Sequence, residues 1–321
     1  MKQGIGARIN TTTAPETLGT ALSSLVPSTE TVTMAEMAVI TPFGFSFEIG
    51  RFLTAWRGLG ATRAQFYRNE QKPPTVAAAL KAATSAGFTF DSMHGAFGEH
   101  LDPSSPDPEH RTHCLHTYAA EGELALALGG PMVVVHPSCW NPGRREMTRE
   151  QIEATSAVRW PHLHDFMARL AEIGGRQGVT YLIENQPMNC PLGHDVARLA
   201  QAVREIKSPH IRMCLDTGHA HITGDVSRAL HDAADVISYL HIHDNDARLD
   251  DHRMPGDGTI DWPAFAAALR ETNCLATRMF EVFYDEAKVE AAAERGMGAT
   301  LAAWTASVLP TKAVPKLTNP N

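Results

Sequence analysis

Short β-prone segments and longer helical stretches alternate along almost all of this 321-residue chain, and no other feature narrows the choice of fold as much. The strand candidates are GIGARIN (4–10), TVTMAEMAV (31–39), GFTFDSMH (87–94), MVVVH (132–136), VTYLIEN (179–185), IRMCLD (211–216), VISYLHIH (236–243) and RMFEVF (278–283). Between them run segments such as PDPEHRTHCLHTYAAEGELALALGG, HDVARLAQAVREI and DWPAFAAALRET, with apolar residues at helical spacing and Pro or a capping Asp at the start. Eight such units predict an α/β fold with a parallel sheet closed into a (β/α)₈ barrel. Residues 11–75 read as Thr- and Pro-rich loops that blur the first two units. No domain boundary is visible, so residues 1–309 are expected to form one barrel domain. The tail PTKAVPKLTNPN (310–321) has no periodicity and is expected to be flexible.

From the third strand candidate onward, the last residues are His94, His136, Glu184, Asp216, His241 with His243, and Glu281. In such a barrel the C-terminal strand ends converge on one mouth, where its chemistry sits. His219, Asp250 and His252 follow closely in loops. Taken singly, a strand-end histidine is more simply a satisfied core residue. Six polar strand ends in a row are not, because burying ionisable groups without partners costs several kcal/mol each. Bound divalent metal would remove that cost, and imidazole with carboxylate but no thiolate suits Zn²⁺, Mn²⁺, Fe²⁺ or Co²⁺. Cys214, two residues before Asp216, reads as core.

Other polar residues carry plainer readings. His110, His113 and His116 fall on one helix and are expected to face solvent, as are His162 and His164 at the start of another. His100 and His221 lie near the mouth, and Glu36 could point inward from the second strand. The net charge of −8 argues against broad attraction to phosphate backbones. The only basic cluster near the mouth, Arg144, Arg145 and Arg149, reads as a solvated loop. The five cysteines are scattered singly, which predicts reduced thiols in a cytoplasmic protein. The opening residues lack a signal-peptide core and no apolar run reaches spanning length, so no membrane association is expected.

The ordered residues His94, "HP" at 136–137, "EN" at 184–185, "DTGH" at 216–219, "HDND" at 243–246, Asp250, His252, the Gly-rich turn "MPGDG" and Glu281 resemble the xylose isomerase-like TIM barrels, a superfamily that includes endonuclease IV. The likeness spans roughly residues 87–285. It implies a TIM barrel with a metal site at its C-terminal mouth, held by His94, His136, Glu184, Asp216, His219, His243, Asp250, His252 and Glu281, which bind three zinc ions in endonuclease IV-like proteins. The ketose 3-epimerases of the superfamily use one Mn²⁺ on the positions of Glu184, Asp216, His243 and Glu281, with a substrate-binding histidine at His219. Three positions differ: Phe97 stands where DNA-cleaving relatives have a tyrosine-containing loop, Ser138 in "HPS" where they have His-Pro-Gly, and Cys190 where the epimerases have a glutamate.

The resemblance thus implies one to three divalent ions per chain, Zn²⁺ or Mn²⁺, and two classes of activity. The first is enediolate chemistry on a sugar or sugar phosphate, with Glu184 and Glu281 moving the proton and His219, His241, Arg248 and Phe97 contacting the substrate. A keto-polyol dehydratase would share that chemistry. The second is a zinc phosphoester hydrolase resembling endonuclease IV. The acidic charge and the absence of recognisable DNA-entering loops favour a small sugar-like substrate over nucleic acid. A metal-stabilised barrel without catalysis is a third reading. Relatives of this size pair through outer helices, so a homodimer is a further expectation.

Overall fold

The computed structural model describes residues 32–34, 37–139, 148–188 and 190–308. The strand candidate at 4–10, Glu36, Arg144, Arg145 and the tail 310–321 lie outside them. In chain order the elements are β1 (Val32–Met34), β2 (Met37–Phe43), α1 (Ile49–Gly58), β3 (Arg63–Arg68), α2 (Val76–Ser85), β4 (Thr89–His94), α3 (Pro108–Leu128), β5 (Met132–Val135) and α4 (Arg149–Gln177). They continue with β6 (Thr180–Glu184), α5 (Val196–Ile206), β7 (Ile211–Asp216), α6 (Thr217–Thr223), α7 (Val226–Ala233), β8 (Ile237–Ile242), α8 (Trp262–Glu271), β9 (Thr277–Phe280), α9 (Glu286–Glu294), α10 (Met297–Thr305) and β10 (Ala306–Val308). Strands β2 to β9 pair in parallel in chain order, and β9 returns to β2 to close an eight-stranded barrel. β1 and β10 form a separate antiparallel pair. The predicted TIM barrel is the fold observed.

The first two barrel strands differ from expectation. They are β2 and β3, so the count of eight is complete from Met37 onward without residues 4–10. β3 and α1 both fall in the stretch read as loop. The sequence of β3, RAQFYR, hides its strand character because its inward residues are polar. Gln65 reaches Ser92 Oγ inside the barrel at 3.3 Å, while Ala64 and Phe66 face outward into the helix layer. Nor do His162 and His164 mark a helix start: α4 runs straight through Pro161. Its N-terminus lies further back, where Thr148 and Gln151 form a reciprocal capping box, and buried Ile152 and Ser156 hold the first turns. At α3, α5, α7, α8 and α9 an Asp side chain accepts a first-turn backbone N–H, a simple N-cap without the reciprocal bond.

Side chains alternate across a strand, and the barrel uses both faces. Outward residues such as Val133, Val135, Ile183, Leu215, Ile242 and Phe280 pack beneath the helices in the larger core. Inward, Ala38, Ile40, Val134, Leu182, Cys214, Tyr239 and Met279 fill the barrel interior. Two residues further along five of these strands come His136, Glu184, Asp216, His241 and Glu281. The polar strand ends therefore form the layer directly above an apolar plug. Cys214 belongs to the plug, as expected.

Close approach fixes some positions. A Cβ on Gly130, just before β5, would lie 2.4–2.7 Å from backbone atoms of Asp91 and Ser92, whereas one on Gly58 in exposed α1 would meet open space. In urea titrations, Gly130→Ala should cost about 2 kcal/mol or more through overpacking. Gly58→Ala should be neutral or stabilising by ~0.5–1 kcal/mol. Equal effects of the two would contradict the packing between β4 and β5.

Candidate metal centre

Three imidazoles at the mouth are locked in one orientation by backbone. Nδ1 of His94 faces Gly95 O at 2.9 Å, Nδ1 of His219 faces Asn185 O at 2.8 Å, and Nδ1 of His252 faces Glu281 O at 2.9 Å. A carbonyl only accepts, so each Nδ1 carries the hydrogen and a neutral ring presents a lone pair at Nε2. Those lone pairs look at carboxylate oxygens. His219 Nε2 lies 3.1 Å and His252 Nε2 3.3 Å from the same oxygen, Asp250 Oδ2, and His94 Nε2 lies 3.8 Å from Glu184 Oε2. Two acceptors that close repel each other unless a cation, a proton or a metal ion, lies between them.

The donors form two overlapping groups. One is central: His94, His136 and Glu184 converge, as do His94, His241 and Glu281, and Glu184, Asp216, His241 and Glu281, each set with ligand atoms within 4.8 Å. His136 Nε2 is 2.9 Å from Glu184 Oε2, and His241 Nδ1 lies 2.6 Å from Glu184 Oε1 and 2.9 Å from Glu281 Oε2. The other set, His243, Asp250 and His252, is tied to the first through His243 Nε2, 3.0 Å from both oxygens of Asp216. Cys214 also reaches Glu184 and His241, but burial pushes its thiol up to about 12 and keeps it neutral.

Without a metal, protons must neutralise this array. Burial opposes ionisation of Glu184, yet His241 and His136 outweigh it and hold the carboxyl well below its usual range. Burial is likewise overcome at Glu281 by His241 and His252, and at Asp250 by His219 and His252, so both stay ionised. Burial lowers His219 and His252, but Asp216 and Asp250 raise the first well above its ordinary value, and Asp250 lifts the second to about 9. His94, buried beside His136, falls to about 4.

Neighbouring residues set the ligand positions. Asn185 accepts from Asp216 N at 2.7 Å and donates to Asp216 O at 3.0 Å, while its own carbonyl holds His219. Thr217 and His243 exchange hydrogen bonds between hydroxyl and backbone. A Cβ on Gly218 would fall 2.0 Å from the His243 ring, so only glycine lets that imidazole lie flat on α6. The loop after β8, which carries Asp250 and His252, is organised by Asp244. Its carboxylate accepts from the backbone N–H of Asn245, Gly256 and Ile260 and from Trp262 Nε1, at 2.8–3.2 Å. His252 sits at φ 47°, a conformation costing roughly 1–2 kcal/mol for a residue with a Cβ. Strain of this kind persists where surrounding contacts over-determine it.

All nine expected ligands meet at the mouth. His241, expected to contact substrate, is wholly buried beneath the carboxylates. Phe97 stacks on His136 with ring centroids 4.7 Å apart, while Arg248 is 80% exposed and paired to Asp246 at 2.6 Å. His100 pairs loosely with Glu70, and His221 Nε2 bonds to Thr259 Oγ1; neither joins the donor groups. On α3, His113 and His116 are exposed, but His110 is half-buried and accepts from Asp102 N. Asn185, Thr217 and Asp244 were not singled out from the sequence. Their only mark there is adjacency to ligands in "EN", "DTGH" and "HDND".

The donor chemistry fits a divalent ion: imidazole nitrogens fixed by carbonyls and facing carboxylates are the arrangement that metal ligands require. Among the described residues, no helix is long and apolar enough to cross a membrane.

Residues 54–304 match the sequence profile of the xylose isomerase-like TIM barrel. The chain is 33% identical over 114 residues to a 3-dehydro-D-guloside 4-epimerase of Escherichia coli, covering 34% of this chain and 40% of that one. It is 31% identical over 189 residues to a probable endonuclease 4 of Oleidesulfovibrio alaskensis, covering 53% and 60%. The chain spans about half the length of the curated relatives it matches. Among solved structures, an L-ribulose 3-epimerase superposes with a TM-score of 0.67 at 21% identity, over 84% of this chain and 96% of that one.

The pH dependence of the metal-free protein tests the electrostatics. His252 titrates at about 9 when folded against 6.5 ordinarily, so its stabilisation is whole below pH 6.5 and lost as pH rises through about 9. His94, at about 4, acts oppositely, and stability falls as pH drops from 6.5 toward 4. Chelator-treated protein should therefore unfold at lower temperature at pH 9 than at pH 6.5. Saturating Zn²⁺ or Mn²⁺ should raise the midpoint and abolish the alkaline decline, since the ion replaces the proton. A metal-free midpoint that rises from pH 6.5 to 9 would contradict the assignment.

Proposed function

The chain belongs to the xylose isomerase-like TIM barrel family, and from that premise we propose that it is a divalent-metal-dependent isomerase or epimerase of a small polyhydroxylated carbonyl compound. The observation that carries this reading is the pair Glu184 and Glu281, both ionised and both bound to one imidazole edge, Nδ1 of His241, at 2.6 and 2.9 Å. They arrive from β6 and β9, so two carboxylates address one small volume from different sides of the barrel.

His94, His136, Glu184, Asp216 and Glu281 would hold one or two ions, and His243, Asp250 and His252 a further one, with His219 reaching it beside Asp250; Zn²⁺ or Mn²⁺ suits these donors. When bound, such an ion supplies a Lewis acid that draws electron density from the substrate carbonyl. The protein's own groups move the proton. One carboxylate takes it from the carbon beside the carbonyl, and the other, first protonated from His241 Nδ1, returns one to the opposite face and inverts that centre, after which the proton taken up passes back to His241. Return to the neighbouring carbon gives the isomer instead. His241 Nδ1–H touches both carboxylates and can share its proton with either. Gln186 Nε2 donates to Glu184 Oε2 at 3.3 Å, which steadies that carboxylate. Phe97 lines the cavity that opens beside His94, while Arg248 would have to leave Asp246 to reach the site.

The likeness to the guloside epimerase supports this reading. A metal-dependent phosphoester hydrolase is the second reading. It is favoured by the additional donors His94, His136, Asp250 and His252, which a one-ion isomerase does not need, and by the likeness to the probable endonuclease 4.

Deuterium exchange separates the two. In D₂O, the metal-loaded protein should wash deuterium into the carbon beside the carbonyl of a ketose, keto-glycoside or sugar phosphate. Glu184→Gln and Glu281→Gln should each slow this by about 10²–10⁴-fold. Elemental analysis should find one to three ions per chain, reduced in Asp216→Asn. Absence of exchange across such a panel, with metal-dependent cleavage of an abasic oligonucleotide, would establish the hydrolase instead.

A further inference from the structure

Just past Glu184, the segment joining β6 to α5 turns back on itself. Gln186 N donates to Gly193 O at 3.1 Å, and Cys190 N to Pro187 O at 3.0 Å. Gly193 lies at φ 103°, and a Cβ there would come within 2.9–3.1 Å of Gln186 N, Cβ and Cγ, so the turn closes this tightly only over glycine. Two buried serines fasten it to the barrel wall. Ser138, after β5, donates through Oγ to Leu192 O at 3.0 Å and accepts from Leu192 N at 2.9 Å. Ser156, on α4, donates to Pro191 O at 2.6 Å.

Within the turn, the Cys190 thiol donates to Gln186 Oε1 at 3.6 Å, and Gln186 Nε2 donates to Glu184 Oε2 at 3.3 Å. Both side chains are buried, at 2% and 3% exposure, so bulk water does not replace either partner. The orientation of the amide is what matters. Turned over, it would set its oxygen against an ionised carboxylate, and two acceptors would face each other at a ligand. A thiol hydrogen on Oε1 favours the orientation that gives Glu184 an N–H. The oxygen so served, Oε2, also lies 2.9 Å from His136 Nε2 and 3.8 Å from His94 Nε2, whereas Oε1 faces His241 Nδ1 at 2.6 Å. The two oxygens of Glu184 thus have separate surroundings, one among ion-binding imidazoles and one on the proton of His241.

We infer that Cys190 is a positioning residue of the metal centre, which acts through the Gln186 amide to hold Glu184 with Oε2 toward the ion-binding imidazoles and Oε1 toward His241. Its thiol joins none of the donor groups among the described residues, so it acts without ligating. The inference rests on the reading of Glu184 as a carboxylate that both holds an ion and moves a proton.

Zn²⁺ alone is the probe. In competition with a chromophoric chelator, full-length Gln186→Ala should bind at least one ion about 10–100-fold more weakly, the loss expected when a partner of a metal ligand is removed. Cys190→Ala should weaken binding by roughly threefold or more. Cys190→Val, which fills the space of the thiol without its hydrogen, should do the same, and so keeps the test independent of packing. Cys190→Ser, whose hydroxyl can donate to the amide, should bind as the wild type does. The double variant Gln186→Ala/Cys190→Ala should be no weaker than Gln186→Ala, because the thiol works through the amide. In Zn²⁺-loaded protein, the Gln186 side-chain amide signals in heteronuclear NMR should move in Cys190→Val and stay in Cys190→Ser. The inference is overturned if Cys190→Val binds Zn²⁺ as tightly as the wild type or leaves those signals in place. It is equally overturned if Cys190→Ser is as weak as Cys190→Val, or if the losses at Gln186 and Cys190 add. The expected pattern in a protein that exchanges no deuterium into any keto-sugar would leave the positioning role standing while the isomerase reading falls.

Discussion

Four carboxylates and six imidazoles meet at one end of this barrel, and the positive charge lodged between them is what the rest of the mouth depends on. Glu184, Asp216 and Glu281 are almost fully buried, and ionised carboxylates do not remain so without partners. The imidazoles cannot serve as passive donors to them, because three have already spent their Nδ1 hydrogen on backbone carbonyls. His219 and His252 must either take up a second proton or share a lone pair with an ion, while His94, lowered to about 4 by burial and His136, stays neutral with its lone pair free for an ion. Protonation and metal binding are therefore alternative solutions to one electrostatic problem, and the geometry accommodates either.

That problem is posed by strand register. The period-two alternation that packs Leu182, Cys214, Tyr239 and Met279 into an apolar plug also places Glu184, Asp216, His241 and Glu281 directly above it. A shift of one residue in any donor-bearing strand would turn a donor toward the helices and an apolar residue into the mouth. The loop after β8 solves the same positioning task without a sheet. There the four-donor grip on Asp244 replaces strand pairing, and the left-handed backbone at His252 aims the last imidazole.

Much of this was legible in the sequence, and the reasons for the gaps are physical. Six barrel strands ended on visible donors after apolar runs, so both the fold and the clustering of donors at one mouth could be read from residues such as Val133–His136 and Ile183–Glu184. β3 could not, because Gln65 and Tyr67 break its apolar pattern in order to face the barrel interior. α4 deceived through Pro161, a residue that normally opens a helix and here lies within one. The roles of Asn185 and Asp244 depend on hydrogen bonds to backbone far along the chain, which no local pattern records. His241 was visible as inward-facing, but its depth below the carboxylates follows only from its place in the barrel layers.

The order in which the ligands occur along the chain bears on synthesis. The donors are spread from His94 to Glu281, and Glu281 follows β9, the strand that seals the barrel against β2. During N-to-C synthesis the imidazoles of β4 and β5 emerge long before the last carboxylate. A ribosome-bound chain therefore offers only fragments of the coordination sphere, and weak ones, until nearly all of the barrel has left the tunnel. Loading with an ion would in this sense be a post-assembly event, and a filled centre would certify that the ring of strands has been completed.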